Sequence, residues 1–272
     1  VAQAALNGTA PGTQIAVQAE PLGTADAALA ARPLVEDASK LIFLNSDLPL
    51  FRPQTLRNIA ERHESSADPL TFLTALLVDP VGFGRVQRVA GRLQAVVEDL
   101  EADTAARGAV EVNAGVYAFD ADWLWPALDG LPPGKVTGER YLTSVIERAV
   151  ADGGAQTYQI QESSELQHVS TREDLAEAER IMRQRVRDEL MAQGVTLLDP
   201  ATTYIDVGVE VAADTVIEPG VHLRGATTIG ANCQIGPNAI LRDMQVGSGC
   251  VIGSSTLEGS TLADDVTIGP YC

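Results

Sequence analysis

A period of six residues that begins at Ile205 constrains this chain more than any other feature. Seven aliphatic residues follow one another at this spacing: Ile205, Val211, Ile217, Leu223, Ile229, Ile235 and Leu241. Val246, Ile252, Leu257, Leu262 and Ile268 continue the series at steps of five or six residues. Such hexapeptide repeats are typical of a left-handed parallel β-helix, in which each unit forms one flat side of a triangular prism. Ordinary β-hairpins are the alternative, but their pattern has period two.

The repeat also predicts which side chains stack. Cys233 and Cys250 each lie four residues after an aliphatic position of the repeat, and a single turn, shortened by one deletion, separates the two cysteines. We therefore expect them to lie on neighbouring turns, with a packing role. Repeat proteins need protected ends, and the sequence stops four residues after Ile268. We expect this segment to end inside a longer prism.

An amphipathic helix is predicted over residues 171–193, just before the repeats. Leu175, Ala178, Met182, Val186 and Leu190 recur there at spacings of three and four. Gly194 is a typical helix stop, and the run Ser170 to Glu173 fits a capping box. We interpret residues 171–194 as a connector between a first domain, 1–170, and the β-helix, 195–272.

The first domain alternates short aliphatic runs with helix-prone segments, which indicates an α/β fold with a mostly parallel, Rossmann-like sheet. Such sheets bind ligands at the carboxyl ends of their strands. The predicted helices are residues 24–31, 53–62 and 141–152. The predicted strands are residues 15–17, 41–44, 70–78, 86–89, 93–97, 110–119 and 155–161.

Composition limits the classes of partner. With 19 Lys and Arg against 37 Asp and Glu, the net charge is -18, so a general affinity for nucleic acid or anionic membrane is not expected. Three cysteines do not make a secreted disulfide framework and favour a cytoplasmic location. The first residues, Val1 to Asn7, contain neither a Met nor the basic segment of a signal peptide.

Two segments of the first domain have the chemistry of a phosphate or nucleotide site. Gln18, Gly23 and Thr24 lie between a predicted strand and a helix, where backbone N–H groups suit an anion; a simple N-cap is the alternative. Asn45, Ser46 and Asp47 end a hydrophobic strand. A carboxylate there can hold Mg²⁺ against phosphate oxygens, although an Asx-turn would have the same sequence.

Three further residues are candidates for contact with a ligand, and the Glu98 carboxylate among them could accept hydrogen bonds from sugar hydroxyls. Gly84 lies in a tight turn, Glu98 ends a strand and Asn113 interrupts one. A hairpin loop, an exposed strand-end carboxylate and a β-bulge are the respective alternatives. The three histidines, His63, His168 and His222, have no metal-ligand spacing and are expected to be surface or internally satisfied residues.

These motifs, taken in order, resemble the bifunctional N-acetylglucosamine-1-phosphate uridylyltransferase / glucosamine-1-phosphate acetyltransferase family. The resemblance rests on the hexapeptide prism and on six segments: Gln18 to Ala27, Asp47 to Leu50, Asp79 to Arg85, Val97-Glu98, Val112 to Tyr117 and Gly138 to Thr143. It implies a nucleotidyltransferase domain that makes UDP-N-acetylglucosamine from UTP and N-acetylglucosamine-1-phosphate with Mg²⁺. It also implies a homotrimer through the β-helix, which acetylates glucosamine-1-phosphate from acetyl-CoA.

The resemblance also implies roles for individual residues. Gln18, Gly23 and Thr24 would contact uracil. Asn45, Ser46 and Asp47 would line the nucleotide-sugar site, with Asp47 as the catalytic metal ligand. Gly84, Glu98 and Asn113 would bind the sugar, and Ser170 stands where the family has an Asn that shares the metal.

Several departures from the family pattern leave alternatives open. Ser46, Leu100 and Ser170 replace residues usual in the family, namely Gly, Lys and Asn. The loop that grips the triphosphate is expected before Val1 and the acetylation residues after Cys272, so we expect residues 1–272 alone to be inactive in both reactions. One rival is a single-function sugar nucleotidyltransferase with another base or sugar. The other is a non-catalytic trimerising relative.

Overall fold

The computed structural model describes residues 12–272. The chain divides into two compact units, Val1–His168 and Val169–Cys272. The first residues, Val1 to Asn7, in which the sequence predicts no signal peptide, lie outside the described residues. Within residues 12–272, no helix has the length and apolarity needed to cross a membrane.

The first unit alternates helices and strands much as the aliphatic runs predict. Residues 15–17, a predicted strand, are irregular. The helices are α1 (Thr24–Ala31), α2 (Pro53–Glu64), α3 (Thr104–Arg107), α4 (Ala121–Leu128) and α5 (Val145–Asp152). The strands are β1 (Lys40–Leu44), β2 (Leu70–Leu76), β3 (Arg85–Val89), β4 (Arg92–Val97), β5 (Glu111–Asp120) and β6 (Gln156–Gln159).

These strands form one mixed sheet in the order β4-β3-β5-β2-β6, with β1 also paired to β5. The expectation of a mostly parallel sheet holds for the pair of β2 and β6, whereas the other described pairings within this six-stranded sheet are antiparallel. The β3–β4 pair is a hairpin closed by Ala90 and Gly91, both at positive φ. A two-residue loop of this kind joins antiparallel strands.

Each face of the sheet carries its own apolar cluster, because neighbouring residues of a strand point to opposite faces. On β2, Phe72 joins the cluster that α1, α4 and α5 cover, and Leu73 joins the cluster that includes Ile59 of α2. The central strand β5 is buried along its whole interior. The first unit is therefore a helix–sheet–helix sandwich, as an α/β fold requires.

The second unit begins with the predicted amphipathic helix, α6 (Arg172–Ala192). Its capping box is one residue later than we expected: Thr171 accepts from the backbone of Asp174, and the Asp174 carboxylate accepts from the backbone of Thr171. Asp serves here in place of the Glu that the sequence pattern suggested, because its short side chain also reaches the N-cap amide. Leu190 of α6 packs into the same apolar cluster as the repeats, so this helix is part of the second unit.

The hexapeptide repeats form a parallel β-helix, as predicted. Its strands make three sheets, one for each side of the prism. The strands are β7 (Thr196–Leu197), β8 (Tyr204–Ile205), β9 (Glu210–Val211), β10 (Val216–Ile217), β11 (His222–Arg224), β12 (Thr228–Ile229), β13 (Gln234–Ile235), β14 (Ile240–Arg242), β15 (Gln245–Val246), β16 (Val251–Ile252), β17 (Thr256–Glu258), β18 (Thr261–Leu262) and β19 (Thr267–Ile268).

The aliphatic residues stack in columns along the axis of the prism. In one column Ile217, Ile235, Ile252 and Ile268 pair in register, and the first three are fully buried. The sequence separation between successive members of this column decreases along the chain. The segments between the strands therefore become shorter, while the strands keep their pairing. Cys233 and Cys250 precede residues that pair in register and are both buried, which confirms their predicted stacking.

Candidate functional site

The first unit contains a cleft of about 260 Å³. Six of the residues predicted for the site line it: Thr24, Asn45, Asp47, Gly84, Glu98 and Asn113. They come from α1, the turn after β1, the turn before β3, the residue just after β4 and the first part of β5. The fold therefore brings together residues that are far apart in the sequence, from Thr24 to Asn113.

Glu98 is a half-buried carboxylate at the end of β4. Its Oε1 accepts a 2.5 Å hydrogen bond from the hydroxyl of Thr143. Burial raises the Glu98 pKa, and the nearby charges of Asp99, Glu101 and Glu139 add to this effect, whereas the bond from Thr143 opposes it. The side chain is thus a hydrogen-bond acceptor held in one orientation beside the cleft.

Asn113 lies on an irregularity of β5. Opposite β2 the register shifts between Phe72 and Thr74, and three residues of β5 stand against one of β2. Gly115 within this bulge has a φ of 71°, a conformation that glycine adopts without strain. The β-bulge that we considered as an alternative is therefore present, and it is the device that directs the Asn113 amide into the cleft.

Gly84 makes the close approach of three strands possible. A Cβ at this position would lie 2.9 Å from Val96 Cγ1, 3.5 Å from Glu98 Oε2 and 3.7 Å from Asn113 Cβ. A side chain would therefore fill the space beside the two predicted sugar-binding groups. The backbone of Gly84 also fixes Asn113, whose N–H donates to the Gly84 carbonyl at 2.9 Å.

Asp47 lies in the exposed turn that follows β1 and lines the cleft. Asn45, two residues earlier, joins this turn to the bulge, since its backbone N–H donates to the Gly115 carbonyl at 3.3 Å. Within residues 12–272 no group of three or more His, Cys, Asp and Glu side chains is arranged to hold a metal ion. A single exposed carboxylate still suits Mg²⁺, which is commonly held by one or two carboxylates together with substrate phosphates.

Thr24 begins α1 and lines the cleft, but its hydroxyl already accepts a 2.8 Å bond from the backbone of Leu142. Gly23 and Gln18 lie outside the cleft lining. A Cβ on Gly23 would clash with the backbone of Arg140, and Gln18 Nε2 donates to the Gly23 carbonyl. In this structure Gly23 permits close packing of two loops, and its contact with a base stays a prediction.

Ser46 is exposed and outside the cleft lining. Ser170 belongs to the second unit, where its backbone N–H donates to the Asp174 carboxylate at 3.1 Å. The shared metal site of Asp47 and Ser170 remains a prediction.

The cleft also contains residues that we did not single out from the sequence: Tyr117, Tyr141, Thr143 and His168. The first three lie inside the segments on which the family resemblance rests, so the resemblance could have identified them as residues of the site. His168, which we expected to be a surface or satisfied residue, contacts the edge of the Phe83 ring, with the ring centres 6.5 Å apart. Its position follows from the tertiary fold, and the sequence offers no local signal for it.

Two family models match the chain. The model described as "Nucleotidyl transferase" matches residues 3–207, and the one described as "Bacterial transferase hexapeptide (six repeats)" matches residues 208–243. The first covers the unit that holds the cleft, and the second lies entirely within the β-helix.

Curated relatives agree with these models. The bifunctional protein GlmU of Levilactobacillus brevis is 41% identical over 92% of this chain and 55% of its own length. The bifunctional proteins GlmU of Brevibacillus brevis and of a Geobacillus species are 39% and 38% identical over 94% and 95% of this chain. This chain spans 56% and 57% of those two relatives. The resemblance drawn from the motifs is confirmed, and the chain belongs to the nucleotidyl transferase family, with bacterial hexapeptide repeats after its nucleotidyl transferase region.

Proposed function

We propose that this chain carries the uridylyl-transfer half of a bifunctional enzyme of the GlmU type. The reaction would join UTP and N-acetylglucosamine-1-phosphate to give UDP-N-acetylglucosamine and pyrophosphate. The observation that supports it most is the meeting of Gly84, Glu98 and Asn113 at one side of the cleft. A carboxylate, an amide and an open backbone are the groups that bind the hydroxyl and acetamido groups of a sugar.

The proposed chemistry is in-line attack of the sugar phosphate on the α-phosphorus of UTP. The bond to the β-phosphate breaks and pyrophosphate leaves. Such reactions need positioning and charge neutralisation more than a protein nucleophile. Glu98 and Asn113 would hold the sugar, and Thr24 with Gln18 and Gly23 would bind the base.

Mg²⁺ is part of this proposal, since nucleotidyltransferases of this type commonly use a divalent metal. Asp47 would hold it, with Ser170 as the second protein residue at the metal, and the metal would neutralise phosphate charge during transfer. Asn45 and Ser46 would line the same part of the nucleotide site.

The remaining expectations belong to the proposal as well. We propose a first domain of residues 1–170, a connector at 171–194 and a β-helix at 195–272. The β-helix would form a homotrimer and serve the acetylation of glucosamine-1-phosphate by acetyl-CoA in a cytoplasmic enzyme of cell-wall precursor synthesis. The hexapeptide match supports an acyltransferase relationship for this part of the chain.

Calorimetric binding of the product tests the proposal, because binding can be measured whether or not residues 1–272 turn over. We expect UDP-N-acetylglucosamine to bind more tightly than UDP-glucose or dTDP-glucose, and Asn113→Ala to remove most of that preference. Tighter binding of another nucleotide sugar would favour the single-function rival with a different base or sugar. Absence of binding by all three ligands would favour the non-catalytic rival.

A further inference from the structure

The amide of Asn113 is held at both of its ends by other groups of β5. Its Nδ2 donates to the hydroxyl oxygen of Tyr117 at 2.5 Å, and its Oδ1 accepts from the backbone N–H of Gly115 at 3.2 Å. Asn113 is 8% exposed and Tyr117 is 5% exposed, so water does not readily replace either partner. These two contacts leave one N–H and one lone pair of the amide for a ligand.

One of the two contacts also determines which way the amide points. If the amide were flipped end for end, Nδ2 would face the N–H of Gly115 and two donors would oppose each other. The Tyr117 hydroxyl accepts from the other end of the same amide. The Gly115 N–H, within the bulge, therefore selects the orientation, and the Tyr117 hydroxyl, which can donate or accept, holds the other end of the amide in place.

The Tyr117 hydroxyl is itself held in place by the packing of its ring. Its ring stacks against Phe119, with ring centres 5.8 Å apart, and against Phe72, with ring centres 6.4 Å apart. All three rings belong to the apolar cluster on one face of the sheet. The packing of these rings therefore holds the hydroxyl at one position beside the Asn113 amide.

We propose that Tyr117 is a positioning residue that fixes the Asn113 amide for the sugar of the nucleotide-sugar ligand. The inference rests on the proposed function. Because Tyr117 acts on the sugar through Asn113, its hydroxyl contributes to binding of the sugar and contributes nothing to binding of the nucleotide alone.

Tyr117→Phe removes the hydroxyl and keeps the ring packing. The matched control is Tyr158→Phe, because the Tyr158 hydroxyl also accepts from an asparagine, Asn58, at 3.1 Å and Tyr158 is outside the cleft lining. Calorimetry on the 272-residue chain would measure the affinity for UDP-N-acetylglucosamine and for UDP. We expect Tyr117→Phe to weaken the first about tenfold, which corresponds to about 1.4 kcal/mol, and to leave the second unchanged. Tyr158→Phe should change neither.

A double-mutant cycle separates positioning from direct contact. In the Asn113→Ala background, Tyr117→Phe should have no further effect on UDP-N-acetylglucosamine. A persistent effect there would mean that Tyr117 touches the ligand itself and would overturn the proposal, as would an equal loss of affinity for UDP. An unchanged affinity of Tyr117→Phe for UDP-N-acetylglucosamine would overturn it too. If the wild-type chain binds UDP-N-acetylglucosamine no better than UDP, the proposed function fails instead, and the two failures are distinguishable.

Discussion

The hydroxyl of Thr143 donates to the carboxylate of Glu98, and it is the contact that opposes the rise in the Glu98 pKa caused by burial and by neighbouring acids. The two residues are 45 positions apart and meet at the cleft. The arrangement keeps the Glu98 carboxylate available as a hydrogen-bond acceptor. It also places the negative charge of that carboxylate where water solvates it poorly.

Glu98→Gln should therefore stabilise the protein at neutral pH. Folding raises the Glu98 pKa, so the stability associated with this group is fully present below its pKa in the unfolded chain and is lost as pH rises through the folded value. The neutral variant should melt higher than the wild type at pH 7.5, and its advantage should shrink toward pH 4. Thermal melts across this range measure the effect. A variant that melts lower at pH 7.5 would contradict the role given to burial.

Thr143→Val should change the pH dependence of ligand binding. Loss of the hydroxyl removes the influence that lowers the Glu98 pKa, so the carboxylate should become protonated at a higher pH. We expect the binding of UDP-N-acetylglucosamine to weaken at a higher pH than in the wild type as the solution is acidified. Calorimetry between pH 5 and pH 8 tests this, with Ser144→Ala as the neighbouring control outside the cleft lining.

His63 should make the stability of the first unit fall in mild acid. The side chain is 2% exposed at the end of α2, where burial first and Lys40 second lower its pKa, although Asp120 opposes them. Because the unfolded chain takes up a proton at a higher pH than the folded chain, stability is lost as pH falls below the ordinary value of about 6.5. The stability advantage of the wild type over His63→Gln should be largest above that pH. Urea unfolding of both proteins from pH 8 to pH 5 measures it, and a constant difference would contradict the prediction.

Gly230→Ala should disrupt the β-helix through close approach between turns. Its φ is not in the positive region, but a Cβ there would lie 2.6 Å from the backbone nitrogen of Ser248 on the next turn. We expect a loss of about 1–3 kcal/mol, the usual range for overpacking. Gly269→Ala is the matched control, since it also follows a repeat aliphatic and a Cβ there would meet no described atom within 4 Å. Chemical denaturation of the two variants compares them, and equal losses would show that close approach is not the cause.

Two neighbouring hydroxyl residues at the start of α6, Ser170 and Thr171, should differ in how much they contribute to stability. Thr171→Ala should cost about 1 kcal/mol of stability, because its hydroxyl caps the helix. Ser170→Ala should cost much less, because the backbone N–H of Ser170 makes its bond to Asp174 and is kept in the variant. Denaturation curves of the two variants decide the order, and a larger loss for Ser170→Ala would assign the cap to the other residue.

The sequence predicts most accurately what depends on periodicity. The aliphatic residues of the repeat recur at a nearly fixed step, so the β-helix and the stacking of Cys233 on Cys250 could be predicted residue by residue. The pairing directions of the first sheet could not, because an aliphatic run has the same appearance in a parallel and an antiparallel strand. The residue pair Ala90 and Gly91, which closes the β3–β4 hairpin, was the part of the sequence that could have indicated an antiparallel pair.

For the site, the motifs indicated which residues meet but not what each one contacts. Thr24 lines the cleft, yet its hydroxyl is already bonded to Leu142. Tyr117 is an aromatic residue of a buried strand, and nothing in its local sequence distinguishes it from Phe119. The difference arises from a bulge that turns Asn113 toward its hydroxyl, and this is a property of the folded sheet.

The shortening of successive turns of the β-helix has a consequence for how this half of the molecule can diverge. Although each turn is shorter than the one before it, Ile217, Ile235, Ile252 and Ile268 remain in one column. The corners therefore absorb deletions that would shift every inward-facing side chain if they fell within a strand. The number of residues at the corners of the prism can therefore vary while the interior side chains stay in place. A new surface loop can be added at a corner without redesign of the core.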